Sequence, residues 1–250
     1  VKSIKIAGGI ALFLGVMCFT LVTRTPLASL QSRMPNLLQD TEKFQGNIIN
    51  GSVKDLGTVN GPIDLKWGLS PMKLLTGKLG GDVEFDWLQA SGNGQVALSP
   101  SKTLFISDTI ATSPASLIET FLPFVRFGGK LRLDLKDGTA SETEYGPFTG
   151  EFTWNAATVS ISEQAKLGDI TLNMSEQDGG TRGVLSSKDG DIVLSGTIDL
   201  QPDGNYTLDL NARAQPSASS MVVNTLAQVA QKQSDGSFRL QQSGQLAELM

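Results

Sequence analysis

The sequence predicts a mainly β protein with one N-terminal transmembrane helix, its exported part an antiparallel sheet, curved or sandwich-like, carrying two short covering helices. Three observations lead there. Residues 6–23 hold no charged side chain. From about residue 44 onward, apolar residues recur at every second position, the period of strands that bury one face. Between those runs stand Asn-Gly and Asp-Gly pairs, which accept the positive φ that tight hairpins require.

The uncharged run comes first. Eighteen residues at about 1.5 Å of helix rise give roughly 27 Å, close to the hydrocarbon thickness of a bilayer once the flanks are added. Ile6, Leu12, Phe13, Leu14, Val16, Phe19, Leu21 and Val22 supply its apolar surface. Lys2 and Lys5 precede it, and short basic ends stay on the cytoplasmic side, which leaves the remainder exported. A cleaved signal peptide has the same charged start and apolar middle. The exit, Arg24-Thr25-Pro26, offers no small-x-small cleavage pair, so an uncleaved signal anchor is the favoured reading. Residues 1–5 are then a cytoplasmic end, 6–23 the anchor and 24–43 a juxtamembrane stalk. Leu27, Leu30 and Met34 continue a helical face in that stalk until Pro35 interrupts it.

Residues 44–250 form the exported β-rich domain. Lys2, Lys5 and Arg24 are the only charges in the first 24 residues, so 17 basic side chains face 25 acidic ones beyond them, a balance of −8. Such a domain repels phosphate backbones, which argues against nucleic acid and favours protein partners. The only cysteine, Cys18, lies in the apolar run, so the exported domain has no disulfide. Histidine is absent from the chain. That removes the commonest general base and metal ligand, excludes triad hydrolases of the usual type, and leaves no catalytic residue, metal site or cofactor to name.

Within that domain the alternation is explicit. Apolar positions are Ile63, Leu65, Trp67 and Leu69; Leu79, Val83, Phe85 and Trp87; Leu131, Leu133 and Leu135; Ile170, Leu172 and Met174; Ile192, Leu194, Ile198 and Leu200; and Tyr206, Leu208 and Leu210. Turns are expected at Asn50-Gly51, Asn60-Gly61, Asp137-Gly138, Asp189-Gly190, Asp203-Gly204 and Asp235-Gly236. One covering helix is expected after Ser113-Pro114, with Leu117, Ile118, Phe121 and Leu122 as its stripe. A second follows Pro216, with Ala218, Met221, Val222, Thr225, Leu226 and Val229 on one face over residues 217–232. Residues 237–246 close the chain as a strand and tail. Residues 95–114 are the best candidate for a boundary inside the domain.

Groups that resemble chemistry have plainer explanations. Asp82, Glu84 and Asp86 share one strand face, as a hydrolase pair or a hard-cation site would need, but Val83, Phe85 and Trp87 claim the core side and leave the acids to solvent. The glycines at 77, 80 and 81, and the run Gly128-Gly129-Lys130, lack the spacing of a phosphate cradle and read as bulges or close strand approaches. Trp67, Trp87 and Trp154 occupy apolar alternates and read as packing residues.

Three segments, taken together and in order, resemble the type II secretion system protein N family. They are Asn50 to Val53; the stretch Leu65 to Leu79, with Trp67, Leu69, Pro71, Leu74, Leu75, Gly77 and Leu79; and the closing run Asp235 to Leu246. The first is only a partial match, because Ser52 follows Gly51 where the family carries a bulky apolar residue. The resemblance implies a non-enzymatic, single-pass inner-membrane protein of Gram-negative bacteria, its N-terminus cytoplasmic and its C-terminal domain periplasmic. It also implies partners among the other secretion components, the inner-membrane platform proteins and/or the outer-membrane secretin, in the machine that exports folded proteins. An alternative of another class is an envelope protein similar to the AsmA family, whose one-faced sheet forms an apolar groove that binds or transfers lipid. The two part on whether Val83, Phe85, Leu131 and Leu133 line an open trough or a packed core.

Overall fold

A computed structural model describes residues 44–246, apart from 59–60, 121–123 and 161–162, and gives the backbone alone at Thr58. The expected anchor, with its eight apolar residues, and the stalk lie outside the described residues. Among those described, no helix is long and apolar enough to cross a membrane. Fourteen antiparallel strands account for most of the described residues, as the period of two predicted. They belong to two compact units divided after Leu88.

In the first unit, β1 (Gln45–Gly46), β2 (Asn50–Thr58), β3 (Gly61–Leu69) and β4 (Leu79–Trp87) follow one another as an antiparallel meander. Directly paired residues share a face. The register aligns Val53 with Leu65 and Leu65 with Phe85, and likewise Ile63 with Trp87 and Trp67 with Val83. That gives one apolar face. On the other, Asp82, Glu84 and Asp86 are all exposed, and Glu84 Oε2 meets Lys66 Nζ at 3.2 Å. The three acids are solvated charges, as the alternation required.

The second unit runs β5 (Ala90–Leu98), β6 (Leu104–Pro114), β7 (Arg126–Ala140), β8 (Tyr145–Ser160), β9 (Gln164–Gln177), β10 (Gly180–Lys188), β11 (Ile192–Leu200), β12 (Asn205–Ala214), β13 (Gln231–Lys232) and β14 (Phe238–Gln245). Strands adjacent in sequence pair from β5 to β12; β14 then pairs with β12, and the two-residue β13 pairs with β14. Packing is against neighbours and next neighbours along the ladder, which is an open single-layer sheet rather than a sandwich. Residues 95–114 run from the end of β5 across its turn into β6, all within this unit.

Register again builds one apolar face across the unit. Leu131, Trp154 and Ile170 form one row, Leu133, Phe152, Leu172 and Leu185 the next, and Ile198 faces Leu208 further along. Packing on a single layer leaves these side chains half-buried apart from Ile170, which is buried, and no large side chain of the described residues is fully buried. The closest packing lies under the second α-helix, α2 (Ser220–Val229), where Val222 meets Ile192, Ala212 and Phe238. Phe238 keeps only 2% of its surface exposed there.

Several expected elements differ. Asp137 and Gly138 do not turn the chain; both lie inside β7, paired with Ser107 and Ile106 of β6 and with Thr149 and Phe148 of β8, and the register shifts on either side absorb the irregularity. Asn50 and Gly51 begin β2 at the closing end of the β1–β2 hairpin. Pro114 ends β6 instead of starting a helix, and Ala115–Thr120 form a 3-10 turn, while Phe121 and Leu122 lie outside the described residues. The helix expected over 217–232 is shorter, Ser220–Val229: Ala218 of the expected stripe precedes it, and Gln231 and Lys232 pair instead as β13. A five-residue helix that the periodicity did not show, α1 (Pro71–Leu75), joins β3 to β4.

The Gly128-Gly129-Lys130 run is a bulge, as expected. The β7–β8 register shifts there, Gly129 has φ +100°, and a Cβ on it would lie 2.3 Å from the Asn155 carbonyl oxygen.

Candidate interaction surfaces

The residues singled out from Trp67 to Leu79 build one local structure. Trp67 Nε1 donates to the Ile48 carbonyl at 3.0 Å, and Leu69 N donates to Ile49 O at 2.6 Å, which fixes the end of β3 against the β1–β2 turn. Pro71 then occupies the first helical position, where its missing N–H would be unsatisfied anyway. At the other end Gly77 takes φ +75°. Its N–H reaches Leu74 O at 3.0 Å and the Lys78 N–H reaches Lys73 O at 3.0 Å, the paired bonds of a Schellman stop. Proline and glycine therefore bracket a single turn of helix in which no residue is buried.

Apolar residues stand outward as a result. Met72 is 71% exposed and Leu75 82%, and Leu74 and Leu79 are exposed beside them. An exposed apolar cluster of this kind marks a contact surface more often than a scattered single residue does. Trp67 and Leu69, at the end of β3, are half-buried. The alternation assigned Leu79 to the core, but at the start of β4 it meets solvent.

In the second unit, Ser219 caps α2, its Oγ accepting from Val222 N at 3.3 Å and donating to Glu163 Oε2 at 2.7 Å. Asp191, next to the Asp189-Gly190 turn, holds the approach to that helix: Oδ1 accepts from Ser217 Oγ at 2.9 Å and Oδ2 from Lys166 N at 3.3 Å. Between α2 and the sheet lies an apolar pocket of about 200 Å³, lined by Ala165, Leu167, Ile192, Met221 and Leu226 among others. Leu131, Leu133 and Phe152 lie on the same apolar face but outside the cluster under the helix, and they are half-buried. Trp154 joins them, its ring 6.1 Å from that of Phe127 and its Nε1 donating to Gly128 O at 2.8 Å.

The opposite face is laced with cross-strand ion pairs. Arg182 meets Asp199 at 2.8 Å, and Arg239 Nε donates to Asp209 Oδ1 at 2.8 Å while its Nη2 makes a second bond to the same carboxylate. The guanidinium of Arg239 holds the Asp209 carboxyl below its ordinary range, and Asp209 in turn raises Arg239. Exposed pairs of this kind add little to stability, because water and salt screen them. No group of His, Cys, Asp and Glu among the described residues could hold a metal ion.

What the described residues build is an antiparallel sheet with one apolar face: the molecule is of the class of one-faced β proteins. The type II secretion system (T2SS), protein N family profile matches residues 41–241, four-fifths of the chain, and the protein belongs to that family. This is an accessory family of type II secretion, not known for enzymes, whose members work with other parts of the secretion system. No curated protein and no solved structure matches the chain.

Proposed function

We propose that this protein is a non-enzymatic periplasmic component of the type II secretion system, held in the inner membrane by residues 6–23, that assists assembly or function of the machine through protein contacts. The exposed turn Pro71–Leu79 carries the reading. It is apolar, it is rigidly bracketed, and it lies inside the stretch that matches the family. Its partners are the inner-membrane platform proteins or the outer-membrane secretin. Met72→Asp with Leu75→Asp removes the cluster without touching a buried group. The double variant should keep the wild-type melting temperature, accumulate in the membrane fraction, and lose both secretion of a type II substrate and in-cell crosslinks from the turn to a secretion component. Normal secretion from the double variant refutes the role given to the turn. A reporter fused after Met250 should be active in the periplasm and sediment with membranes; a soluble mature protein refutes the anchor.

A second reading has its own observation. Leu131 and Leu133, with Val83 and Phe85 in the first unit, are half-buried and not tightly packed, which fits the alternative of an AsmA-like sheet that takes acyl chains on its apolar face. Phospholipid that co-purifies with the full chain, and is lost on Leu133→Trp, supports it. Protein free of lipid after extraction from membranes refutes it.

A further inference from the structure

Sheet edges are where an open β protein meets other chains, and two strands here bear that load very differently. In the first unit β1 covers only Gly51 and Ser52 of β2, and the strand beyond carries Lys54, Asp55 at φ +49°, and a register shift between Val53 and Leu56. Charge and a bulge are the usual means by which an edge is made unfit for pairing. In the second unit β13 covers only Phe238 and Arg239 of β14. Leu240-Gln241-Gln242-Ser243-Gly244-Gln245-Leu246 then runs without a charge or a proline, and β14 pairs with β12 in unbroken register from Phe238 to Gln245.

The direction of the free groups follows from the ladder. Leu246 N donates to Gly204 O at 2.9 Å, so in this register the even-numbered residues of β14 turn their N–H and C=O toward β12 and the odd-numbered ones turn theirs away. At Arg239 the outward side is met by Gln231 of β13. At Gln241, Ser243 and Gln245 no strand of the described residues lies on that side.

We propose that this edge pairs with the same edge of a second copy of the chain, antiparallel about a two-fold axis at Ser243. That register engages the whole free segment. Gln241 faces Gln245 of the second copy and Ser243 faces its counterpart, as hydrogen-bonded pairs; Gln242 faces Gly244 and Leu240 faces Leu246 in the wider spaces. Even-numbered residues lie on the apolar face, where Leu240 stands beside Leu210 and Phe238 beside Ala212. The leucine pairs therefore continue that face from one copy into the other. No charge meets a like charge across the axis, because the segment has none and the nearest cation, Arg239, is held by Asp209 within its own chain. Shifting the register so that Gln245 faces Arg239 sets it against backbone groups already taken by β13. Seven residues of edge make a small interface, so dissociation in the micromolar range is expected.

The test uses the full chain. In a Cys18→Ala background, which removes the only native thiol, Ser243→Cys in membranes should give a disulfide-linked species of twice the chain mass on mild oxidation. Ser195→Cys, exposed on the central strand β11, should not. Ser243→Pro deletes an N–H that the single copy does not use. In density-matched detergent it should keep the wild-type melting temperature while the dimer dissociates at least tenfold more readily in sedimentation. Ser243→Lys, which sets two cations across the axis, should do the same. A wild-type chain monomeric at 100-fold above the micromolar range, equal crosslinking by Ser195→Cys, a Ser243→Cys crosslink to a different protein, or a dimer unaffected by both Ser243→Pro and Ser243→Lys overturns the proposal.

Discussion

Phe238→Ala is the sharpest probe of where the second unit keeps its stability. The ring is 2% exposed and packs with Ile192, Ala212 and Val222, so truncation removes contacts between three strands and the helix that covers them. Buried Phe→Ala changes cost about 3–5 kcal/mol, and the unbroken β12–β14 register leaves the site little room to collapse, which places this one toward the upper end. At roughly 2–4 °C per kcal/mol for a unit of this size, the melting temperature should fall by about 8–20 °C. Leu133→Ala is the control. Leu133 lies on the same apolar face but is half-buried and outside the helix-covered cluster, so about 1–2 kcal/mol is expected from its smaller loss of buried area. Thermal melts followed by circular dichroism give the comparison, and amide exchange in α2 should rise for Phe238→Ala alone. Equal shifts for the two variants refute the view that packing is concentrated under the helix.

Two further outcomes follow from the same contacts. Ser219→Ala removes the cap of α2 and its bond to Glu163, so about 1 kcal/mol should be lost, with faster exchange of the Val222 amide; an unchanged urea midpoint contradicts the cap. Acid should destabilise the fold through carboxylates whose folded pKa lies below the unfolded value: Glu119, lowered first by the Phe127 N–H at 3.0 Å and then by Arg126, and Asp209, lowered first by Arg239. Such groups contribute fully above the unfolded value, about 4, and lose their contribution as pH falls through the depressed folded value. Urea midpoints should therefore be level from about pH 7 to 5 and fall below about 4. The double variant Glu119→Gln, Asp209→Asn should fall less steeply; an identical acid profile overturns the assignment.

What the sequence revealed and concealed divides along one physical line. A period of two reports which face of a strand is apolar, and that held for the β3–β4 and β7–β12 runs because each strand of a meander contributes the same face. Asp189-Gly190, Asp203-Gly204 and Asp235-Gly236 turn the chain as expected. Asp137-Gly138 does not, since pairing on both sides outweighs a local preference for turning. Pro114 could end a strand because the β5 ladder stops opposite Thr112, so no neighbour on that side asks for its N–H. The helix at Pro71 is too short to show a period, and its cap glycine and N-terminal proline were the only local signals. Apolar residues at Met72 and Leu75 read from sequence as ordinary hydrophobic positions; their exposure depends on the two caps closing the turn after a single helical turn. The ability of β14 to pair with itself was invisible too, because it depends on how far β13 reaches.

Coverage decides what the apolar face can do. A helix of ten residues is about 15 Å long, whereas strands of 14 to 16 residues, such as β7, β8 and β9, extend about 45–55 Å. The cluster under α2 draws on β9, β11, β12 and β14, and reaches neither Leu131 and Leu133 of β7 nor Phe152 of β8. Those rows of large apolar side chains are therefore supported sideways by the ladder and, among the described residues, have no α-helical layer above them. Backbone pairing satisfies the polar groups of such a sheet whether or not its face is covered, so the fold can stand while the face stays half-open. Filling it is then not a requirement of folding. Substitutions at Leu133 should change what associates with the protein at a modest cost in stability, while those at Phe238 should do the reverse.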